Sequence, residues 1–156
     1  MTYIDEIAIK INAVAEDPAY AGAADDQTIK EYEKFLGVKF PSSYILFLKK
    51  YGTLSFAGET YYGITKGGVN VAAVPNVAFA TKRARADGDA DEKMVIIKAS
   101  GYGPIFSIDT SIVGERGEAV IVETELSFKR DGEKKIAFQS FEDFFISTIM
   151  EAIEDI

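Results

Sequence analysis

Histidine and cysteine are both missing from this chain, and tryptophan with them. The loss of histidine removes the usual general base, the commonest metal ligand and every serine–histidine catalytic arrangement. The loss of cysteine removes disulfides, thiol nucleophiles and zinc sites of ordinary composition, and it suits a reducing compartment. No uncharged apolar run approaches the roughly 20 residues of a membrane helix. The opening segment, MTYIDEIAIKINAVAEDPAY, sets Asp5, Glu6 and Lys10 among its apolar positions. It lacks the basic start and unbroken apolar run of a signal peptide. The expectation is a cytoplasmic protein with no membrane segment, no metal and no cofactor. Carboxylates, lysine, tyrosine, serine and threonine remain for chemistry.

What is present reads as one domain spanning residues 1–156. The chain is 47% hydrophobic and 27% charged, ordinary values for a soluble globule. A domain of this length buries about 68–70% of the surface its unfolded chain exposes, so its core needs no covalent staple. The net charge of −8 is unevenly placed. Residues 1–26 carry six acids and one base, residues 140–156 five acids and no base, and residues 27–139 carry 14 acids against 16 bases. An acidic skin repels nucleic-acid phosphates and suits basic partners or simple solubility.

Apolar spacing places the elements. Ile4, Ile7, Ile11 and Val14 recur at helical intervals over 4–16, and Pro18, Gly22 and paired aspartates then mark a loop. A second helix is expected from Thr28 to Leu36, with Ile29, Tyr32, Phe35 and Leu36 on its apolar face and Gly37 as its cap. In LGVKFPSSYILFLKKYG, Pro41 suits a first helical turn and the hydroxyls of Ser42 and Ser43 can satisfy free amides there. Tyr44, Phe47, Leu48 and Tyr51 fall at i, i+3, i+4 and i+7, and Gly52 stops the helix.

Beyond Gly52 the segment SFAGETYYGIT reads as a hairpin, and a short helix is expected near 76–86. Strands are expected at Met94–Ala99, Pro104–Asp109, Ala119–Glu123 and Lys135–Phe138, separated only by turn signals. Strands without intervening helices imply an antiparallel meander. Ser140 opens a last helix whose broad face holds Phe141, Phe144, Phe145, Ile149 and Ile153. The expected fold class is α+β: N-terminal helices, an antiparallel meander and a C-terminal helix.

Individual motifs offer little chemistry. Asp87, Asp89 and Asp91 alternate as in a calcium loop, but Glu92 stands where glycine is required and Lys98 where glutamate is. Gly101 and Gly103 fit a phosphate-binding G-x-G, yet Ile105 and Phe106 begin a strand rather than a helix. Glu123 with Glu125 or Asp109 could form an acid–base pair, although nothing in the spacing makes them converge. Lys82, Arg83 and Arg85 read as an exposed helix end.

Three ordered stretches carry a resemblance. LGVKFPSSYILFLKKYGTL resembles the signature of the SUKH superfamily, the Smi/Knr-like cell-wall regulators and bacterial toxin-immunity proteins, at Leu36, Phe40, Pro41, Tyr44, Phe47, Leu48 and Gly52. ASGYGPIFSIDTS is similar to the family's glycine-bearing turn and strand, with Gly103, Phe106, Ile108 and Asp109 in those roles. IAFQSFEDFFISTI resembles its closing helix, with Ser140, Phe141, Phe144 and Phe145. The chain departs from the pattern in lacking the tryptophan that many members carry, and in Gly52-Thr53 where Asn-Gly-Gly is frequent.

The resemblance implies a SUKH-like α+β fold without enzymatic activity. Bacterial members are commonly cytosolic immunity proteins that neutralise a cognate toxin, often a nuclease. Fungal members regulate cell-wall synthesis and carry long disordered flanks, so the lack of such flanks here points to the bacterial-type role. The leading expectation is a non-catalytic immunity module facing a basic toxin domain. The alternatives are a Smi/Knr-type regulatory or scaffolding protein, and a carboxylate enzyme or small-ligand carrier. Glu59, Tyr61, Tyr62, Tyr102, Asp109, Glu123 and Glu125 are the expected partner contacts, because they fall near strand ends and loops. Tyr62 and Asp109 also admit structural roles, Asp109 as a turn-capping acid.

Overall fold

A computed structural model describes residues 1–99 and 103–156. Helix α1 (Tyr3–Asn12) starts where the Asp5 carboxylate accepts hydrogen bonds from the Thr2 amide (3.2 Å) and hydroxyl (3.0 Å). It buries Ile4, Ile7 and Ile11 and ends at Asn12, short of the expected 16, because the Val14 amide reaches only the Ile11 carbonyl and tightens the last turn. Part of the expected loop becomes strand β1 (Ala19–Tyr20), which pairs antiparallel with β2 (Leu54–Phe56).

Helix α2 (Asp26–Leu36) is capped by Asp25, whose side chain accepts from the Thr28 amide at 2.8 Å. Gly37 closes it in the left-handed conformation (φ 70°). Ile29, Tyr32 and Leu36 face inward, whereas Phe35 turns outward beneath the Lys82 ammonium, 5.1 Å from its ring centroid. Helix α3 (Ser42–Lys50) follows, with Pro41 at its cap.

The four side chains picked out by spacing, Tyr44, Phe47, Leu48 and Tyr51, are all buried. Burial at about 1.5–3 kcal/mol each gives an upper bound of about 6–12 kcal/mol, comparable with a whole domain's net stability. Phe47 lies at the centre of an aromatic cluster, with ring centroids 5.4 Å from both Phe141 and Phe145 and 6.4 Å from Tyr61.

Strand β3 (Glu59–Tyr61) completes a three-stranded sheet in the order β1-β2-β3. Just past it the backbone of Gly63 crosses that of Gly52 so closely that a Cβ on Gly63 would sit 1.7 Å from the Gly52 carbonyl oxygen. Only glycine fits there. Helix α4 (Val77–Asp87) is capped by the fully buried Asn76, whose Oδ1 accepts from the amides of Ala78 (3.0 Å) and Phe79 (3.1 Å). The Asn76 amide group donates to the Tyr32 hydroxyl, the Thr65 hydroxyl and the Gly68 carbonyl. One side chain thus ties α2, α4 and the connecting loop together.

The second sheet is the expected meander: β4 (Met94–Ala99), β5 (Ile105–Val113), β6 (Ala119–Thr124) and β7 (Lys135–Phe138), antiparallel in the order β4-β5-β6-β7. Strand β5 runs past the expected Asp109. Asp109 pairs with Val120 and Val113 with Ala119, so Thr110, Ser111 and Ile112 form an extra bulge. A short helix α5 (Phe128–Asp131) occupies the expected turn before β7.

Helix α6 (Phe141–Glu154) closes the chain, with Ser140 accepting from the Asp143 amide at 3.1 Å. Phe144 packs on the sheet face that carries Phe106 and Phe138, at 5.5 Å from each ring. Helices α1, α3 and α6 pack together at the aromatic cluster, α2 packs on α4, and α4 on β4. The Tyr62 amide donates to the Ile97 carbonyl (2.8 Å) and links the two sheets. The architecture is α+β with helices, meander and closing helix in the expected order. No helix among the described residues is long and apolar enough to cross a membrane.

Candidate protein-binding surface

Strand alternation decides which candidate residues can meet a partner. Tyr61 is the inward-facing end of β3. It is fully buried, its hydroxyl 2.6 Å from that of Thr148 on α6, and burial pushes its ionisation well above the ordinary tyrosine range. Tyr62 is almost as buried, with its hydroxyl donating to the Ala99 carbonyl at 3.4 Å. The contact role expected for Tyr61 is therefore corrected, and Tyr62 offers at most its rim.

Asp109 needs the same correction. It is fully buried, and its Oδ2 accepts from the Lys134 ammonium at 2.7 Å. Its Oδ1 accepts from the amide (3.0 Å) and hydroxyl of Ser111, two residues on. This is the turn-capping role noted for aspartate, reinforced by a half-buried cation.

Lys134 also bridges to Asp91 at 2.7 Å, and Lys129 to Asp89 at 3.5 Å. Asp89 and Asp91 of the DGDADE loop thus serve as anchors for the segment around α5. Burial opposes it, but hydrogen bonds from Lys134 and the Lys93 amide hold the Asp91 carboxyl below the usual range. Among the described residues no group of three or more acids is placed to hold a metal ion.

Glu59, Glu123 and Glu125 stay at the surface. Glu59 pairs with Lys98 at 2.5 Å, and Lys98 lies over the Phe106 ring, 6.0 Å from its centroid. Register places both Lys98 and Glu123 opposite Phe106, so Glu59, Lys98, Phe106 and Glu123 form one row at the end of the sheet where β4 turns towards β5. Glu125 lies just beyond β6 and is exposed. Tyr102 lies outside the described residues. Glu123 shares a face with Phe106, and Asp109 three positions along β5 is on the other. The sheet therefore separates Glu123 from Asp109.

The spacing argument missed two features. Arg85, expected at an exposed helix end, is buried and donates to the carbonyls of Leu36 (2.8 Å) and Met94 (3.2 Å), because α4 packs into the junction between α2 and β4. Burial holds its guanidinium below the usual arginine range. The second is a groove of about 910 Å³ at the opposite end of the meander from Glu59, between the α2–α3 junction and the β5–β6 turn. No sequence signal marks it, since its walls come from four separate segments.

No curated protein matches the chain. A family model described as SMI1-KNR4 cell-wall, designated SUKH_6, matches residues 26–145, from the start of α2 to the aromatic face of α6. That span holds the whole α3 stripe, both sheets apart from β1, and the first turn of the closing helix. On the ordered motifs, the fold they build and this match, the chain belongs to the SMI1-KNR4 family of the SUKH superfamily.

Proposed function

We propose that this chain is a non-catalytic protein-binding module that neutralises a cognate toxin. The observation that carries the reading is the family match over residues 26–145. The surroundings of the ionisable groups support it. Asp109 is tied up by Lys134 and Ser111, and Glu123 lies on the opposite face of the sheet from it. Binding then rests on the shape and charge of the exterior.

The contact surface in this reading is the end of the meander that carries Glu59, Glu123 and Glu125, together with Tyr102 and the rim of Tyr62. A toxin that acts on nucleic acid must be basic to hold its substrate, and a chain of net charge −8 associates quickly with such a domain. Complex formation then covers the toxin's working face. The protein acts in the cytoplasm, where a delivered toxin would arrive.

Co-expression with a toxin domain encoded beside the gene tests this. Cells carrying both should survive, and the two chains should co-purify. A stably folded protein that forms no complex and leaves toxicity intact would remove the reading. The cell-wall description of the matching family favours a second reading, Smi/Knr-type regulation. That one predicts altered wall synthesis on deletion with no toxin present.

A further inference from the structure

The groove between the α2–α3 junction and the β5–β6 turn carries charge opposite in sign to the chain as a whole. Lys30, Lys34, Lys39 and Lys93 line it, and all four are exposed. Among the described residues none of them forms an ion pair. Two acids also line it, and both are engaged with the backbone. Glu33 accepts from the Phe40 amide at 2.7 Å, and Glu118 accepts from the amide (3.3 Å) and hydroxyl (2.6 Å) of Ser43 at the start of α3. Four lysines against these two carboxylates leave the concavity a formal charge of +2 on a protein of net charge −8.

The floor is apolar: Val38, Phe40, Pro41, Ala119 and Val113, the last of these 69% exposed. One wall is strand. Pairing of β4 with β5 begins at Met94 opposite Asp109, and only the Thr110 amide and hydroxyl reach back to the Lys93 carbonyl. Residues 111–113 of β5 run on past the start of β4 along the groove. The Ser111 amide is held by Asp109 Oδ1 within the bulge, so this wall meets an extended segment mainly through its side chains.

We propose that this groove binds an acidic segment of a partner protein in extended conformation, its carboxylates on the four lysines and its alternate apolar side chains on the Val113–Phe40 floor. The lysines alone would suit a phosphate backbone as well, and it is the apolar floor beside them that favours the alternating side chains of a peptide. The surface lies at the other end of the meander from Glu59, Glu123 and Glu125, so this inference stands whether or not the toxin-neutralising reading does.

The test is fluorescence anisotropy with a labelled octapeptide that alternates glutamate and phenylalanine. The comparison probes are octaglutamate, the lysine–phenylalanine counterpart and a ten-nucleotide single-stranded DNA. The glutamate–phenylalanine peptide should bind saturably and more weakly as salt rises. The Lys34→Glu/Lys39→Glu variant should lose about tenfold or more in affinity, and Val113→Asp should weaken binding without changing the unfolding midpoint. Three outcomes would overturn the proposal: no saturable binding, binding unchanged in both variants, or octaglutamate or the DNA binding as well as the mixed peptide.

Discussion

Replacing Lys134 by methionine removes a charge while keeping most of the side-chain stem, and the structure sets the size of the loss. The ammonium bridges Asp109, which is fully buried, and Asp91, whose side chain is 44% exposed, at 2.7 Å each. The Asp91 arm is a surface pair worth about 0–1 kcal/mol. The Asp109 arm is different, because its loss strands a carboxylate in the interior with only Ser111 for company. Breaking a buried pair in this way costs about 3–5 kcal/mol, and the 21% exposure of Lys134 admits enough water to favour the lower end. The expected loss is about 3 kcal/mol.

With an m value of about 2 kcal/mol/M, the urea midpoint should fall by about 1.5 M with the slope unchanged. Adding Asp109→Asn should restore much of the loss, since the stranded charge is then gone. The pH response has a definite sign. Burial opposes it, but hydrogen bonds to Asp109 and Asp91 hold the Lys134 ammonium above its ordinary range. Its contribution is therefore present below the unfolded value of about 10.4 and is lost as pH rises through the folded one. Asp91 is held low, so its contribution is present above about 3.9 and is lost as pH falls through its folded value. The gap between wild type and variant should stay level from about pH 5 to about 9 and narrow as pH falls below about 4. A midpoint within about 0.2 M of wild type, or a gap indifferent to acid, would refute the reasoning.

Two further perturbations probe the core. Asn76→Ala removes a cap and leaves the Tyr32 hydroxyl without its buried donor. Calorimetry should show a loss of about 2–4 kcal/mol, and a loss below about 1 kcal/mol would mean that water takes over the site. Phe47→Asp buries a charge among aromatic rings and should abolish the folded circular-dichroism signal. Lys49→Ala breaks only the exposed 2.7 Å pair with Asp26 and should change stability by about 0.5 kcal/mol or less. Equal tolerance of the last two would contradict the packing around α3.

Helices α2, α3 and α6 were legible because their apolar stripes are local, as with Tyr44, Phe47, Leu48 and Tyr51. The strands of the meander were legible because turn residues separate them. Strand β1 was not, since Ala19–Tyr20 is too short to show a period and exists only through its pairing with β2. The overrun of β5 to Val113 depends on a bulge that no composition marks.

The expected exposure failed where an amphipathic or charged side chain found its partner far along the chain. Asp109 meets Lys134, Arg85 reaches Leu36, and Tyr61 reaches Thr148. Charge predicts exposure only until folding supplies a distant counterpart. Glu59 found such a partner in Lys98 and still kept a side chain 35% exposed.

Arg85 has a consequence for the groove. Its guanidinium holds the last carbonyl of α2, next to Gly37 and Val38 on one bank, and the first carbonyl of β4, next to Lys93 on the other. A rigid, planar fork thus fixes the gap between the banks before anything arrives. The channel works as a pre-set caliper, and an incoming segment spends little of its attraction on closing it.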